Sequence, residues 1–147
     1  MITLYTIGFT KKSAEQFFNL LRDNNVMQLI DVRISNSSQL AGFAKGKDLE
    51  FFVKEICHIP YKHITDFAPS KELLDQWHKQ EVTWEEYVKV YTDLLKDRDV
   101  LRKYGVKSFD GSCFLCSEDT PEQCHRRLLA EYFKKHSADP VKIVHLI

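Results

Sequence analysis

The sequence has little of several features that mark special classes of protein. Only five of its 147 residues are glycine and four are proline, which excludes a collagen-like or low-complexity chain. It has 21 basic and 21 acidic residues, so its formal net charge is zero. This balance argues against a broadly basic nucleic-acid-binding surface but permits a local basic cleft. With 44% hydrophobic and 29% charged residues, the composition is that of a globular chain with a full core.

Long hydrophobic runs are also missing. No run approaches the roughly 20 residues that a membrane-spanning helix needs. The segment Met1–Phe9 has neither a basic region nor a hydrophobic run long enough for a signal peptide. We therefore expect no association with a membrane and a cytoplasmic location, where the four cysteines are mostly reduced thiols. No repeat or linker-like segment interrupts the chain, so we expect one domain spanning residues 1–147.

Short hydrophobic strands alternate with amphipathic helices. Strands are predicted at Ile2–Ile7, Val26–Val32, Ile59–Ile64, Gly111–Cys116 and Val141–Leu146. Helices are predicted over Lys47–Cys57, Ser70–Lys79 and Trp84–Lys96, and after the capping boxes that begin at Ser13 and Thr120. The alternation predicts an α/β fold, a single three-layer domain with a mostly parallel sheet flanked by helices.

Functional sites in such sheets lie beyond the carboxyl ends of the strands. Three strand ends are therefore candidate positions for a functional site, at Gly8–Thr10, Asp31–Arg33 and Cys116–Glu118. Asp31 and Arg33 face the same side of their strand. Either they pair with each other and hold a neighbouring loop, or they contact an anionic substrate. Both interpretations stay open.

Cysteine, histidine and arginine cluster after the fourth predicted strand. Cys116 ends that strand, and Cys124, His125 and Arg126 lie in the opening turns of the next helix. Counted from the capping box that begins at Thr120, Cys124 is predicted at about the fourth helical position. The N–H groups and partial positive charge of a helix N-terminus favour a thiolate, and Arg126 and Arg127 add fixed positive charge. The cluster therefore indicates a reactive thiol.

The helical spacing predicts where the members of this cluster point. Cys124 and His125 lie above hydrophobic residues on the face directed at the sheet. Arg126 is predicted at the edge of that face. Arg127 is predicted to form a solvent-side ion pair with Glu131, four residues further on.

Other interpretations of the cysteines stay open. Cys57 and Cys113 fit the pattern of inert core thiols. A four-ligand zinc site is disfavoured because Cys113 and Cys116 face opposite sides of a strand. Adjacent Cys124 and His125, moreover, diverge by about 100° on a helix. A partial metal site of Cys116, Cys124 and His125, or a redox pair of the two cysteines, stays open. We assign no metal ligand and expect no cofactor.

Several short motifs, in this order, resemble the family called domain of unknown function 488. They are Thr6-Ile7-Gly8, Asp31-Val32-Arg33, Phe114-Leu115-Cys116-Ser117-Glu118 and Cys124-His125-Arg126, with a late His145. The resemblance spans nearly the whole chain, implies a compact α/β domain and leaves the reaction open. Two departures stand out. Phe9 replaces a histidine common in that family, and Thr65–Pro69 lies where a Leu-Gly-Gly piece is often found.

These observations favour a thiol-dependent enzyme acting on a phosphate-bearing substrate such as a nucleotide or nucleic acid. The predicted catalytic residues are Cys116, Glu118, Cys124 and His125. The predicted substrate-binding residues are Gly8, Asp31, Arg33, Arg126 and His145. Aromatic Phe9 and Phe43 are expected near the same edge of the sheet.

Two alternatives belong to other functional classes. The first is a non-catalytic module that binds phosphate or nucleic acid, with structural thiols or a partial Cys/His metal site. The second is an interaction surface built on the aromatic residues Trp77, Trp84, Tyr87 and Tyr91, which would be exposed in that case. Whether the protein is a monomer or a homodimer stays open.

Overall fold

Five parallel strands form the central sheet of the computed structural model, which describes residues 1–37, 42–118 and 120–147. The strands are β1 (Ile2–Gly8), β2 (Gln28–Asp31), β3 (Tyr61–His63), β4 (Ser112–Cys116) and β5 (Val141–Leu146). They lie in the order β3-β2-β4-β1-β5, and every neighbouring pair is parallel. The predicted mostly parallel sheet is confirmed.

Helices connect the strands. They are α1 (Ala14–Asp23), α2 (Gly46–Phe52), α3 (Lys71–His78), α4 (Trp84–Asp97), α5 (Val100–Lys103) and α6 (His125–His136). A π-helical turn at Val53–Cys57 extends α2, and short 3-10 turns lie at Gly42–Ala44, Thr65–Phe67 and Val106–Phe109. None of the described helices is both long enough and apolar enough to cross a membrane.

Side-chain capping determines where two of these helices begin. Ser13 and Gln16 form a reciprocal capping box before α1, and Thr83 and Glu86 form another before α4. Each box satisfies backbone N–H groups that have no partner within the helix. Both starts are as the sequence predicts.

The sheet separates two hydrophobic cores. Cys113 and Leu115 of β4 point to the core beneath α1 and α2, whereas Phe114 and Cys116 point to the core that includes residues of α3, α4 and α6. This alternation is the two-residue period of a strand. It confirms that Cys113 and Cys116 face opposite sides, and it gives the predicted three layers.

Phe67 lies at the centre of the second core and is fully buried. Its ring contacts four other aromatic rings, those of Tyr104, Phe109, Phe114 and Phe133, with centroids 4.8 to 6.1 Å away. The Tyr91 hydroxyl donates a hydrogen bond of 2.7 Å to the Phe67 carbonyl. Because Tyr87 and Tyr91 are also buried here, this part of the aromatic set belongs to the core.

We expect Phe67→Ala to lower the free energy of unfolding by about 3–5 kcal/mol, since it removes a buried ring and leaves a cavity. The matched control is Phe51→Ala, because the Phe51 side chain is 59% exposed and its loss should change stability by less than about 0.5 kcal/mol. Urea unfolding of the two variants measures the difference. Equal losses would contradict the central role of Phe67.

Candidate functional site

The carboxyl ends of β1, β2 and β4 meet at one edge of the sheet. Gly8 pairs with Cys116, and Asp31 pairs with Leu115. Backbone hydrogen bonds continue just beyond the strands, from Thr10 N–H to the Ser117 carbonyl at 3.1 Å. The structure therefore brings the three predicted strand ends together.

The segment after β4 differs from the prediction. Helix α6 begins at His125, and Cys124 is its N-cap residue with extended backbone angles (φ −137°, ψ 140°). Cys124 is therefore not at the fourth helical position. Because α6 begins only at His125, Thr120 does not cap it as the sequence predicted.

Cys116 and Cys124 form the centre of the site. Their side chains are 1% and 3% exposed, and the structure joins their sulfur atoms in a disulfide bond, in line with the open interpretation of these cysteines as a redox pair. A ring nitrogen of His125 joins them, and the three ligand atoms lie within 4.8 Å of one another. Because Cys124 is extended rather than helical, it and His125 converge, and the expected divergence of these neighbours is wrong.

Arg126 lies beneath the two thiols and is fully buried, not at the edge of the helix face as predicted. Its Nη1 donates to Cys116 Sγ at 3.3 Å and to the Glu118 carbonyl at 2.5 Å, and lies 3.9 Å from Cys124 Sγ. A Cβ atom on Gly8 would collide with the Glu118 carbonyl and with Arg126 Nη1. Glycine at position 8 therefore leaves the space that the guanidinium occupies.

Arg127 behaves as the sequence predicts. Its Nε lies 3.2 Å from Glu131 Oε2, and both side chains are partly exposed. Adjacent arginines thus have different surroundings, one beneath the thiols and one in a surface ion pair.

The backbone just beyond the end of β2 holds the His125 ring in one orientation. Its Nε2 lies 2.8 Å from the Val32 carbonyl. A carbonyl can only accept, so Nε2 carries the proton and Nδ1 is the unprotonated nitrogen. The pKa of His125 is lowered to about 4, mainly by burial and also by the charge of Arg126, against the raising effects of the Val32 hydrogen bond and of Asp31. The imidazole is therefore neutral at neutral pH.

Asp31 and Arg33 form a buried bidentate ion pair. Arg33 Nε and Nη2 donate to the two carboxylate oxygens at 2.8 and 2.7 Å. Arg33 Nη2 also donates to the Ala44 carbonyl, and the Tyr61 hydroxyl donates to Asp31. The guanidinium lies 5.2 Å from the centre of the Phe9 ring, and its Nη1 has no hydrogen-bond acceptor among the described residues. The pair thus holds the segment before α2 against the sheet.

A cavity of about 250 Å³ opens above the thiols. Its floor and polar wall include five residues from the sheet edge, Phe9, Arg33, Cys116, Cys124 and His125. Its apolar wall includes Ile34, Pro69, Leu74, Trp77 and Tyr87, and the polar residues Ser35, His78, Ser117, Glu118 and Gln123 complete it. The cavity therefore combines thiols, an imidazole and a guanidinium with aromatic surface.

The matching family model is described as Domain of unknown function DUF488, and it covers residues 13–133. The chain belongs to this family. The DUF488 match includes Asp31, Arg33 and the segment from Cys116 to Arg126, whereas Gly8 and His145 lie outside it. Searches of curated proteins and of solved structures each found no match.

Some predicted site residues of this DUF488 chain do not line the cavity. Gly8, Asp31 and Arg126 support it from behind. His145 lies on β5, where its Nδ1 is 2.6 Å from Thr6 Oγ1; burial, and then Arg126, lowers its pKa. Phe43 packs against Phe17 and Phe18 in the other core, so its expected place near this edge is wrong.

The apolar wall of the cavity in this DUF488 chain is not predictable from the sequence. Leu74 and Trp77 lie on α3, and Tyr87 lies on α4. Their helical spacing indicates a face directed at the core, but it does not indicate which strand end that face covers. Contact between Trp77 and Tyr87, with ring centroids 5.6 Å apart, places both helices over the thiols.

We expect Asp31→Asn to lower the free energy of unfolding by about 3–5 kcal/mol, because it leaves the buried Arg33 guanidinium without its carboxylate. Asp93→Asn is the control, since Asp93 pairs with Lys89 at 3.1 Å on the exposed face of α4 and should lose less than about 1 kcal/mol. Thermal and urea unfolding measure both. A loss at Asp31 no larger than at Asp93 would show that the pair does not anchor the site.

Proposed function

We propose that this protein is a thiol-dependent enzyme acting on a small phosphate-bearing substrate, with Cys116 as its nucleophile. The observation that supports this most directly is the hydrogen bond from the buried Arg126 guanidinium to Cys116 Sγ at 3.3 Å. A guanidinium beside a sulfur atom favours the thiolate, which is the nucleophilic form of cysteine. The thiol faces a cavity, so a substrate has space to bind against it.

The proposed step is a nucleophilic substitution at phosphorus. A bond forms between Cys116 Sγ and phosphorus, and the bond from phosphorus to the leaving oxygen breaks, with the electron pair going to oxygen. Glu118, exposed beside the cavity, passes a proton from water to that oxygen. Water then hydrolyses the thiophosphate, which releases phosphate and restores the thiol.

His125 and Cys124 have supporting roles in this proposal. The His125 Nε2 proton is held by Val32, so only Nδ1 can take part, as a proton acceptor. The structure joins Cys124 to Cys116 in a disulfide, so a small thiol must first reduce this bond to give the Cys116 thiolate. Cys124 also shares the neighbouring Arg126. The four predicted catalytic residues thus have different roles in the proposed reaction.

The surroundings of the cavity support a nucleotide-sized substrate. Arg33 and the hydroxyls of Ser35 and Ser117 line it, and guanidinium groups bind phosphate oxygens well. The rings of Phe9 and Trp77 offer surface on which a base can stack. The volume of about 250 Å³ and the zero net charge favour a small molecule over a nucleic-acid duplex.

We expect iodoacetamide to label Cys116 of the reduced, metal-free protein at neutral pH at least about tenfold faster than free cysteine. Burial raises the pKa of Cys57 and of Cys113, so these thiols serve as slow internal references. Mass spectrometry of the labelled peptides gives the rate at each cysteine.

Arg126→Gln should slow this labelling by about tenfold, whereas Arg127→Gln, which removes the adjacent guanidinium, should leave it within twofold. Circular dichroism checks that both variants fold. If Arg126→Gln does not fold, Arg126→Lys, which keeps a positive charge, replaces it and should retain most of the rate. A Cys116 rate in the wild-type protein equal to that of Cys57 overturns the nucleophile.

We also expect millimolar nucleoside monophosphate to protect Cys116 from labelling and the unmodified nucleoside to protect it less. Release of inorganic phosphate should be lost in Cys116→Ser and kept in Cys57→Ser. Protection without any phosphate release, with salt-sensitive nucleotide binding retained in Cys116→Ser, would indicate the non-catalytic binding module instead.

A further inference from the structure

We infer that Cys116, Cys124 and His125 bind one zinc ion, whose fourth coordination position faces the cavity. The inference starts from three ligand atoms that converge on one point. Two sulfur atoms and one imidazole nitrogen lie within 4.8 Å of one another, and all three side chains are buried. Thiolate and imidazole are ligands that zinc prefers, and four-coordinate zinc is nearly always tetrahedral.

The orientation of His125 fits a metal ligand. Metal-binding histidines usually donate their second ring N–H to a carbonyl or carboxylate, which fixes the tautomer and the ring. His125 Nε2 has this arrangement with the Val32 carbonyl at 2.8 Å. The unprotonated Nδ1 is then the nitrogen available to an ion. The ring can bind the ion without breaking its hydrogen bond to the Val32 carbonyl.

The backbone of the two cysteines also fits this role. Cys116 ends β4 and Cys124 precedes α6, and the disulfide between them joins Cα atoms that are 7.6 Å apart. Disulfides usually join Cα atoms about 4.4–6.8 Å apart. Two rigid elements thus direct their thiols at a common point from a wider spacing, as the ligands of one ion do.

Charge is balanced when zinc binds here. One Zn²⁺ with two thiolates and a neutral imidazole has no net charge, which lowers the free-energy penalty of burial. Arg126 Nη1 donates to Cys116 Sγ, and such a hydrogen bond from outside the coordination sphere stabilises and orients a thiolate ligand. The surroundings therefore support the ligands as well as the ion.

The site has three protein ligands rather than four. Within residues 1–37, 42–118 and 120–147, no further Cys, His, Asp or Glu joins the cluster. Cys116, Cys124 and His125 all line the cavity. Three protein ligands with an open fourth position are typical of reactive zinc sites, where water or a substrate atom completes the tetrahedron. Zinc would therefore give the cavity a Lewis acid and at the same time cover the thiolates.

This inference goes beyond the proposed function and does not require it. In the reduced, metal-free protein Cys116 is the nucleophile, and in the zinc-bound protein both cysteines are ligands. The disulfide in the structure is the oxidised state of the same site. Zinc should therefore protect both reduced cysteines from alkylation.

Titration of the reduced, chelator-treated protein with Co²⁺ tests the site. We expect saturation at one ion per chain, a thiolate-to-cobalt charge-transfer band and the intense visible bands of a tetrahedral complex. Zn²⁺ should displace Co²⁺ stoichiometrically. Cys116→Ser, Cys124→Ser and His125→Gln should each weaken binding by at least about tenfold, whereas Cys57→Ser, a cysteine outside the cluster, should bind as the wild type does.

The outcomes separate this inference from the proposed function. Binding of less than one ion per chain, or an equal loss in Cys57→Ser and Cys116→Ser, overturns the zinc site. If His125→Gln does not fold, the wild-type spectrum and the Cys124→Ser variant decide. Fast alkylation without metal binding overturns only the zinc site. Tight zinc binding with slow alkylation of the metal-free protein overturns only the nucleophile.

Discussion

The burial of one guanidinium governs the architecture of the site. Arg126 is the largest of the fully buried side chains in the described chain, and its Nη1 joins the end of β4, the Glu118 carbonyl and the cap of α6. A buried positive charge needs polar partners, so the turn after β4 must bring its carbonyl and the sulfur atoms inward. Gly8 must also lack a side chain to let that turn approach. The thiols, the turn and the end of β1 are therefore arranged around Arg126.

A buried ion pair holds the opposite wall of the cavity. The bidentate contact between Asp31 and Arg33 is extended by two further hydrogen bonds, from the Tyr61 hydroxyl to Asp31 and from Arg33 to the Ala44 carbonyl. Such a network keeps Arg33 in a fixed position over Phe9. The cavity thus has rigid polar walls on the sheet side, while its apolar wall comes from the separate α3 and α4 pair, with Trp77 against Tyr87.

Much of the fold could be predicted from local sequence. The strand periodicity, the Ser13 and Thr83 capping boxes and the opposite facing of Cys113 and Cys116 all depend on neighbouring residues, and all are confirmed. The capping box predicted at Thr120 does not form, because the chain after β4 turns inward so that the Glu118 carbonyl accepts from the buried Arg126, and the helix begins only at His125. The convergence of Cys124 with His125 depended on that failure.

The rest of the site depends on contacts between segments that lie far apart in the sequence. The sequence indicates that Cys116 and Arg33 end strands, but the strand order places them at one cavity. Trp77 and Leu74 give no chemical signal of their own, and only the packing of α3 beside α4 brings them above the thiols. Phe43 shows the converse, because a residue close to Arg33 in sequence lies on the other face of the sheet.

The burial of Cys116 and Cys124, which are 1% and 3% exposed, has a consequence for their thiol chemistry. Exchange with a protein dithiol requires the attacking sulfur to approach one of these sulfurs directly, and a cavity of about 250 Å³ walled by Trp77 and Tyr87 does not admit a folded partner. Small oxidants such as peroxides can enter, but large reducing proteins cannot. We therefore expect the disulfide of Cys116 and Cys124 to exchange with small thiols and oxidants rather than with protein dithiols.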